Sequence, residues 1–351
     1  MRYRLTELIS CPNCKSLLKC IGFKEEGSEI IDGILTCSGC GRWYPIIDGI
    51  PRLLQDWLGH CSKSREFIEK YEDKIPDTAI NSSEDSFTEL QKKTSKSFGF
   101  EWTVFDKMFK EYEMNFLSYI SPIEKSFFKN KLVLDAGCGM GRHTYFAAKY
   151  GAEVVAFDLS DAVESAYKNT KVFSKVHVVQ ADMYHLPFRK ELFDYIFCIG
   201  VLTIIPDPEK AIASLVELMK PKSCISIWTP PPHPIYEPIR TITTHIPHGI
   251  LYYLCYLPAV IMEVSNWLYK LLSKFKITRN VADLLPFSVY SYFPFKVKLN
   301  DCFDVFSAPH KNMITEKELR YWLESAQLKR IKILHRELYG IKKGLNAIGM
   351  R

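Results

Sequence analysis

The sequence predicts an α/β fold built on a doubly wound parallel sheet, with a small cysteine module ahead of it and a helical insertion within it. Three observations carry this prediction. A short apolar run, Lys131 to Leu134, ends in Asp135 and turns through Gly137, Gly139 and Gly141 into a helix-compatible run, His143 to Tyr150. Strand-like and helix-like segments then alternate from 131 to 228, which requires a parallel sheet with crossover helices. Near the N-terminus, Cys11-Pro-Asn-Cys14 and Cys37-Ser-Gly-Cys40 form two C-x-x-C pairs separated by 22 residues.

The glycine turn is the centre of the chain. A strand that turns sharply into a helix through glycines lets a ligand approach bare backbone N–H groups. A second apolar run, 154–157, ends in Asp158, 17 residues beyond Gly141. An acid at the tip of the second strand is where such a sheet grips ribose hydroxyls. The dinucleotide fingerprint G-x-G-x-x-G needs glycine at 142, where Arg142 stands, and this points away from NAD or FAD. Each acid also has a plain structural reading, a helix N-cap for Asp158 and a turn acid for Asp135. Their joint occurrence favours a ligand.

D-x-G-x-G-x-G after a strand (135–141), followed by an acid closing the next strand, resembles the class I S-adenosylmethionine (SAM) dependent methyltransferases. Three later segments agree: 178–188, around Asp182 and Met183; 193–202, a fourth strand and its loop; and 206–228, a helix and a fifth strand. The resemblance covers about 116–228 and 315–345, and its core is similar to the group containing quinone-biosynthesis methyltransferases. It implies a Rossmann-like seven-strand sheet with SAM across its open end. Asp135 and the backbone of Gly137 and Gly139 would hold the methionine end, Asp158 the ribose, and Asp182 with Met183 the adenine edge. Gly141, Leu159 and Cys198 complete the implied cofactor-binding set. Two stretches depart from the family. Val201 to Ile205 replaces the histidine often found after the fourth strand, and Lys220-Pro-Lys-Ser223 replaces the usual Lys-Pro-Gly-Gly turn.

At 351 residues the chain is long enough for two domains and a sizeable core. The expected division is 1–58, a zinc-ribbon module; 59–115, a linker and amphipathic helix; 116–228 with 315–351, the methyltransferase-like core; and 229–314, a cap insertion. Net charge is +6, and residues 229–351 hold 17 Lys/Arg against 9 Asp/Glu, so the basic excess lies in the C-terminal third. Mixed signs of this kind form a solvated face more often than an anion-binding one. Eleven cysteines and no secretory leader imply a reducing, cytoplasmic compartment.

In the N-terminal module each C-x-x-C pair forms a knuckle whose thiolates face one ion. Two knuckles complete a closed S₄ site for structural Zn²⁺, with Cys11, Cys14, Cys37 and Cys40 as ligands and no open position for water. The intervening Lys19 to Ile34 suits a hairpin, and a separate module this short would take its stability from the metal. Residues 42–54 resemble the small zinc-ribbon proteins that partner tRNA and protein methyltransferases as activating subunits. A ribbon also begins some ribosomal-RNA methyltransferases, so RNA is an implied alternative substrate. Against it, the segment lacks the interleaved basic and aromatic residues that bind single strands.

Residues 59–97 are polar, with Asn81 to Ser86 the most flexible point. Over 98–120, Trp102, Phe105, Phe109, Tyr112 and Phe116 recur at helical spacing and predict one amphipathic helix. The stripe reads as core, and in the second reading Phe98 to Trp102 walls the cofactor pocket. Capping boxes are expected at Asp161/Glu164 and Thr315/Glu318, and a helix start at Asp207-Pro208. The run 330–334 reads as a late strand paired with a short one near 341–348.

The insertion opens with a proline-rich stretch (229–238) and continues into the most hydrophobic run, 246–262. Pro247, His248 and Pro258 inside that run argue against a membrane span. A helical cap over the active site is expected. Its apolar face would accept a lipophilic substrate or rest in a membrane interface, with Lys270, Lys274, Lys276 and Arg279 toward anionic headgroups. No catalytic residue is identified. His233, His245, His248 and His310 fall in the insertion, with His248 and His310 the candidates retained for a general base, and His143 is expected to pack near the cofactor. The function expected is methyl transfer from SAM to a small, apolar acceptor. An RNA base methyltransferase and a non-catalytic SAM-binding or activator subunit are the alternatives.

Overall fold

The structure is a computed structural model that describes residues 1–55, 57–76, 88–230, 237–275, 278–282, 285–309, 311–338 and 341–351. Asn81 to Ser86, His233, Lys276 and His310 lie outside the described residues, as does most of the proline-rich stretch.

The N-terminal module is an antiparallel meander of β1 (Leu18–Glu26), β2 (Glu29–Cys37), β3 (Trp43–Ile47) and β4 (Ile50–Leu53). Two short helices follow, α1 (Trp57–His60) and α2 (Ser64–Lys70), then α3 (Glu89–Val104) and α4 (Tyr112–Tyr119). The alternating core comprises β5 (Leu132–Ala136), α5 (Arg142–Lys149), β6 (Glu153–Asp158), α6 (Ala162–Thr170), β7 (Val176–Ala181), β8 (Phe193–Ile199), α7 (Pro208–Glu217) and β9 (Met219–Thr229). A helical cap comes next, whose described residues include the α-helices α8 (Glu237–Thr243), α9 (His248–Leu254), α10 (Tyr256–Leu272), α11 (Arg279–Ala282) and α12 (Phe295–Ser307). The chain closes with α13 (Glu316–Ser325), β10 (Lys329–Leu338) and β11 (Ile341–Met350).

Among the described residues, all strands join one eleven-stranded sheet in the order β1-β2-β3-β4-β7-β6-β5-β8-β9-β11-β10. The last seven in that order form the expected sheet, with β11 antiparallel to both neighbours. The expected seven-strand count is corrected by the N-terminal module. It is not a separate body: β4 pairs in parallel with β7 through Arg52↔Gln180 and Leu53↔Ala181. An uncovered β7 edge would expose a row of unpaired N–H and C=O groups, and β4 covers it. The joint is buried. Leu8, Ile9 and Leu53 share one apolar cluster with Leu186 and Phe188, and the fully buried Arg52 donates to Gln180 Oε1 at 3.1 Å.

Two further expectations are corrected. The helix read over 98–120 is two helices. Thr88 and Gln91 form a capping box that starts α3 well before Phe98, and the helix ends at Val104. Phe105 packs into the cap, whereas Tyr112 and Phe116 pack beneath the sheet, and one straight helix cannot serve both clusters. The Asp161/Glu164 box does not form. Asp161 makes no side-chain cap bond, its Oδ1 instead accepting from Gln180 Nε2–H at 3.4 Å, and the Glu164 carboxylate is drawn off to Arg52 and Lys63. The other two starts are as read: Asp207 Oδ1 accepts from the Lys210 N–H at 3.0 Å, and Thr315 with Glu318 forms both halves of its box.

Candidate active site and metal centre

The site lies at the C-terminal ends of the parallel strands. Glycines at 137, 139 and 141 all have φ between +52° and +80°. A Cβ on Gly137 would lie 2.3 Å from Val201 Cγ2, and one on Gly139 would lie 3.0 Å from Trp102 Nε1. The bare turn is thus required by its neighbours as well as by its backbone. Gly137→Ala is expected to destabilise the fold by about 2 kcal/mol or more, from positive φ and overpacking together. A thermal unfolding scan showing no change would contradict this.

Asp158 stands at the tip of β6, opposite that turn. Its Oδ2 accepts from Gly139 N–H at 2.9 Å, and its Oδ1 accepts from Ser160 N–H at 2.9 Å and Ser160 Oγ–H at 2.7 Å. A carboxylate has about four acceptor sites, so about one remains for a ligand hydroxyl. Burial raises the Asp158 pKa, and these three bonds oppose the rise. Beyond it, Asp182 and Met183 follow β7, and the His185 Nδ1–H donates to Asp182 Oδ2 at 2.7 Å.

A cavity of about 400 Å³ joins these groups to the cap. Gly137, Gly139, Asp158, Leu159, Asp182 and Met183 line it. Three other expected cofactor residues do not. Asp135 is 1% exposed beneath the turn, where Thr144 Oγ–H donates to its Oδ2 at 2.6 Å, and burial pushes its pKa up to about 7. Gly141 packs against Ala166, where a Cβ would meet the Cα at 3.0 Å, so it serves the contact between α5 and α6. Cys198 is fully buried in the apolar cluster on the other face of its strand. Alternate residues of a strand face opposite sides, and motif spacing does not say which side a neighbour takes.

The described candidate histidines divide between the cavity and the cap surface. His248 does not line the cavity; it is half-buried against the rings of Phe100 and Phe303, at 5.4 and 6.1 Å, and burial lowers its pKa. His245 is exposed, its Nδ1–H donating to the Thr241 carbonyl at 2.9 Å. His143 does line the cavity, stacked on Phe116 at 5.6 Å.

The far wall agrees with the second reading of 98–102, and Glu101 and Arg142 are the members of it that the sequence did not single out. Phe98 and Trp102 line the cavity from α3, and Arg142, at the position where the dinucleotide fingerprint needs glycine, lies 4.8 Å over the Trp102 ring and 5.4 Å over that of Tyr112. Glu101 belongs to the same wall. It is fully buried, and neither carboxylate oxygen has a hydrogen-bond partner among the described residues. Burial, with Asp304 second, raises its pKa well above the usual carboxylate range. Nothing in its local sequence separates it from an acid on a solvated helix face. In the stretch that replaces the family's histidine, Val201, Thr203, Ile204 and Ile205 line the cavity and leave it largely apolar there.

At the other end of the chain the Sγ atoms of Cys11, Cys14, Cys37 and Cys40 all lie within 4.8 Å of one another. Cys11 and Cys40 are 3.7 Å apart, and Cys14 and Cys37 are 3.3 Å apart. A tetrahedral Zn–S₄ site with bonds of about 2.3 Å has S···S edges of roughly 3.8 Å, so the four thiolates fit one Zn²⁺.

Residues 134–227 match the family described as a methyltransferase domain, and residues 2–49 match the family described as Trm112p-like protein. Over 134–227 the sheet core thus matches a methyltransferase domain. The module fused to its edge is Trm112-like. Ubiquinone biosynthesis O-methyltransferase of Coxiella burnetii (strain Dugway 5J108-111) is 31% identical over 117 residues, which cover 31% of this chain and 50% of that protein. An uncharacterized protein of Synechococcus is 30% identical over 102 residues, 27% of this chain and 24% of its own. The chain thus spans at most about half the length of these two curated relatives. Among solved structures, the complex between the Haloferax volcanii Trm112 methyltransferase activator and a methyltransferase is 12% identical, covering 73% of this chain and 97% of that one at a TM-score of 0.43. The N-methyltransferase NodS from Bradyrhizobium japonicum, bound to S-adenosyl-L-homocysteine, is 14% identical, covering 74% and 98%, also at 0.43. The bare glycine turn and the buried Asp158 carboxylate, with an acceptor position left beside it, fit SAM as the cofactor.

Proposed function

We propose that this chain transfers a methyl group from SAM to a small acceptor with an apolar body. One observation carries the reading: a single cavity runs from the glycine turn to the cap, lined by cofactor-type groups at one end and by cap residues at the other. The backbone at Gly137 and Gly139 would hold the methionine end, Asp158 with Leu159 the ribose, and Asp182 with Met183 the adenine edge. When bound, SAM supplies a methyl on a sulfonium sulfur, open to in-line displacement. The acceptor end is walled by Tyr290, Phe293 and Val297 of the cap together with Val201 and Ile204. These side chains exclude water and take an apolar body, while Asn300, Asp301 and Arg240 are the polar residues of the same lining.

Glu101 is the group placed to take the acceptor's proton. Neither of its oxygens has a hydrogen-bond partner among the described residues, which leaves the carboxylate open to a substrate O–H or N–H. Arg142, held between Trp102 and Tyr112, fixes the wall beside it. Glu101→Gln keeps the shape and removes the proton acceptor. It is expected to lower turnover by roughly 10²- to 10⁴-fold with SAM affinity unchanged. Full turnover in the variant would remove the assignment.

Incubating the protein with methyl-labelled SAM and a lysate of its source tests the whole reading, with label expected in the lipid extract. The Trm112p-like match supports a second reading, an RNA acceptor. Label in the RNA fraction, with binding that weakens steeply with salt, would favour it. Tight SAM binding with no labelled product would favour a non-catalytic subunit.

A further inference from the structure

The outer face of the cap is apolar where a protein surface in water is ordinarily polar. In α9 and α10 the buried residues Leu251, Cys255, Ala259, Met262 and Asn266 form one stripe against the rest of the cap. Tyr253, Leu257, Val260, Val264, Trp267 and Leu271 form a second stripe, and all are exposed, Tyr253 to 73%, Leu257 to 70% and Trp267 to 64%. At about 100° per residue the two stripes centre on opposite sides of the helix. The run His248–Leu272 is long and apolar enough to cross a membrane, yet only 22% of its most apolar window is buried. Continuous apolar surface of this kind marks a binding face.

Charge decides what it binds. The one acid of the run, Glu263, is paired with the buried Lys298 of α12. Lys270, Lys274 and Arg279 stand at and beyond the end of α10, all exposed. We propose that the outer face of α9 and α10 lies in the plane of an anionic lipid bilayer, its apolar stripe among the acyl chains and these cations at the headgroups. Crossing the bilayer would pull Ala259, Met262 and Asn266 out of the cap and break the Glu263–Lys298 pair, so the helices rest in the interface. The inference deepens the reading of an apolar acceptor, on which it rests for its purpose. α12 packs on α10 and lines the acceptor chamber through Val297, Asn300 and Asp301. An acceptor dissolved in the bilayer therefore meets the cap from the side the protein already faces.

The full-length protein, mixed with vesicles of phosphatidylcholine alone or with added phosphatidylglycerol, is expected to co-sediment with the mixed vesicles about tenfold more tightly. Leu257→Glu with Val264→Glu is expected to abolish sedimentation and leave SAM affinity unchanged. Lys270→Glu with Lys274→Glu should weaken it on the order of tenfold, more so at low salt. Trp267→Phe should remove the fluorescence blue shift that accompanies binding. Absence of binding to either vesicle overturns the proposal. So does a dimer in sedimentation velocity that the Leu257/Val264 variant dissociates, since a second copy would then cover the stripe. Vesicle binding without SAM binding would instead sink the methyltransferase reading and leave the lipid face standing.

Discussion

Asp158→Ala is expected to abolish SAM binding, with affinity in a calorimetric titration falling by at least about 100-fold, or roughly 3 kcal/mol. Two losses combine. The variant removes the acceptor for a ribose hydroxyl, and it also frees the Gly139 N–H that Asp158 Oδ2 holds at 2.9 Å. A turn whose backbone is no longer pinned must be ordered again by the ligand at the ligand's expense. Ser160→Ala separates the two effects. It deletes one 2.7 Å bond to Oδ1 and leaves the carboxylate in place, so a loss of about tenfold or less is expected. Unchanged affinity in Asp158→Ala would remove the cofactor assignment.

Metal removal is expected to reach further than the module that holds the metal. Elemental analysis should give one zinc per chain, and a finding of none would end that claim. Structural Zn²⁺ contributes on the order of 10 kcal/mol to modules of this size, so a strong chelator or Cys11→Ser should unfold the Trm112-like part. The consequence spreads because β4 pairs with β7 immediately before Asp182. The segment after Asp182 is held too. Lys15 Nζ donates to the Leu186 carbonyl at 2.9 Å, Ser10 N–H donates to that of Pro187 at 2.9 Å, and Ile9 bridges to Phe188. Arg52 would lose its partners Gln180 on β7 and Glu164 on α6. The unfolding midpoint of the whole chain is therefore expected to fall by on the order of 10 °C. SAM affinity should fall with it, most strongly at the adenine end. A chelated protein that keeps its SAM affinity would show that the two parts are energetically independent.

The parts of the fold legible in the sequence are those set by local chemistry. Three glycines at alternate positions after an apolar run define a turn that few other residues tolerate, and the acids ending the first two strands follow from strand length. Paired C-x-x-C spacing fixes four ligands on one ion without reference to the rest of the chain. What escaped depends on contacts distant in sequence. That β4 joins the sheet at β7 is a matter of edge pairing, which no periodicity within 1–58 encodes. Glu164 looks like a capping acid until Arg52, 112 residues away, takes it. Glu101 sits on a helix whose exposed and buried acids look alike from the sequence; only the docking of α3 beneath α12, seen in the Ser97 Oγ–H bond to the Ser307 carbonyl at 3.0 Å, seals it from water. Asp135, Gly141 and Cys198 were placed in the cofactor set by motif, and each serves the scaffold behind the cavity instead of its wall.

The covalent union of the zinc-holding part with the sheet edge it covers has a consequence for dilution. Two chains meeting at such an edge separate once their concentration drops below their dissociation constant, and the exposed strand is then left to pair with a stranger. Here the local concentration of one part about the other is set by the tether and does not change with protein level. A cell that makes only a few copies of this chain therefore has every copy with its edge already sealed.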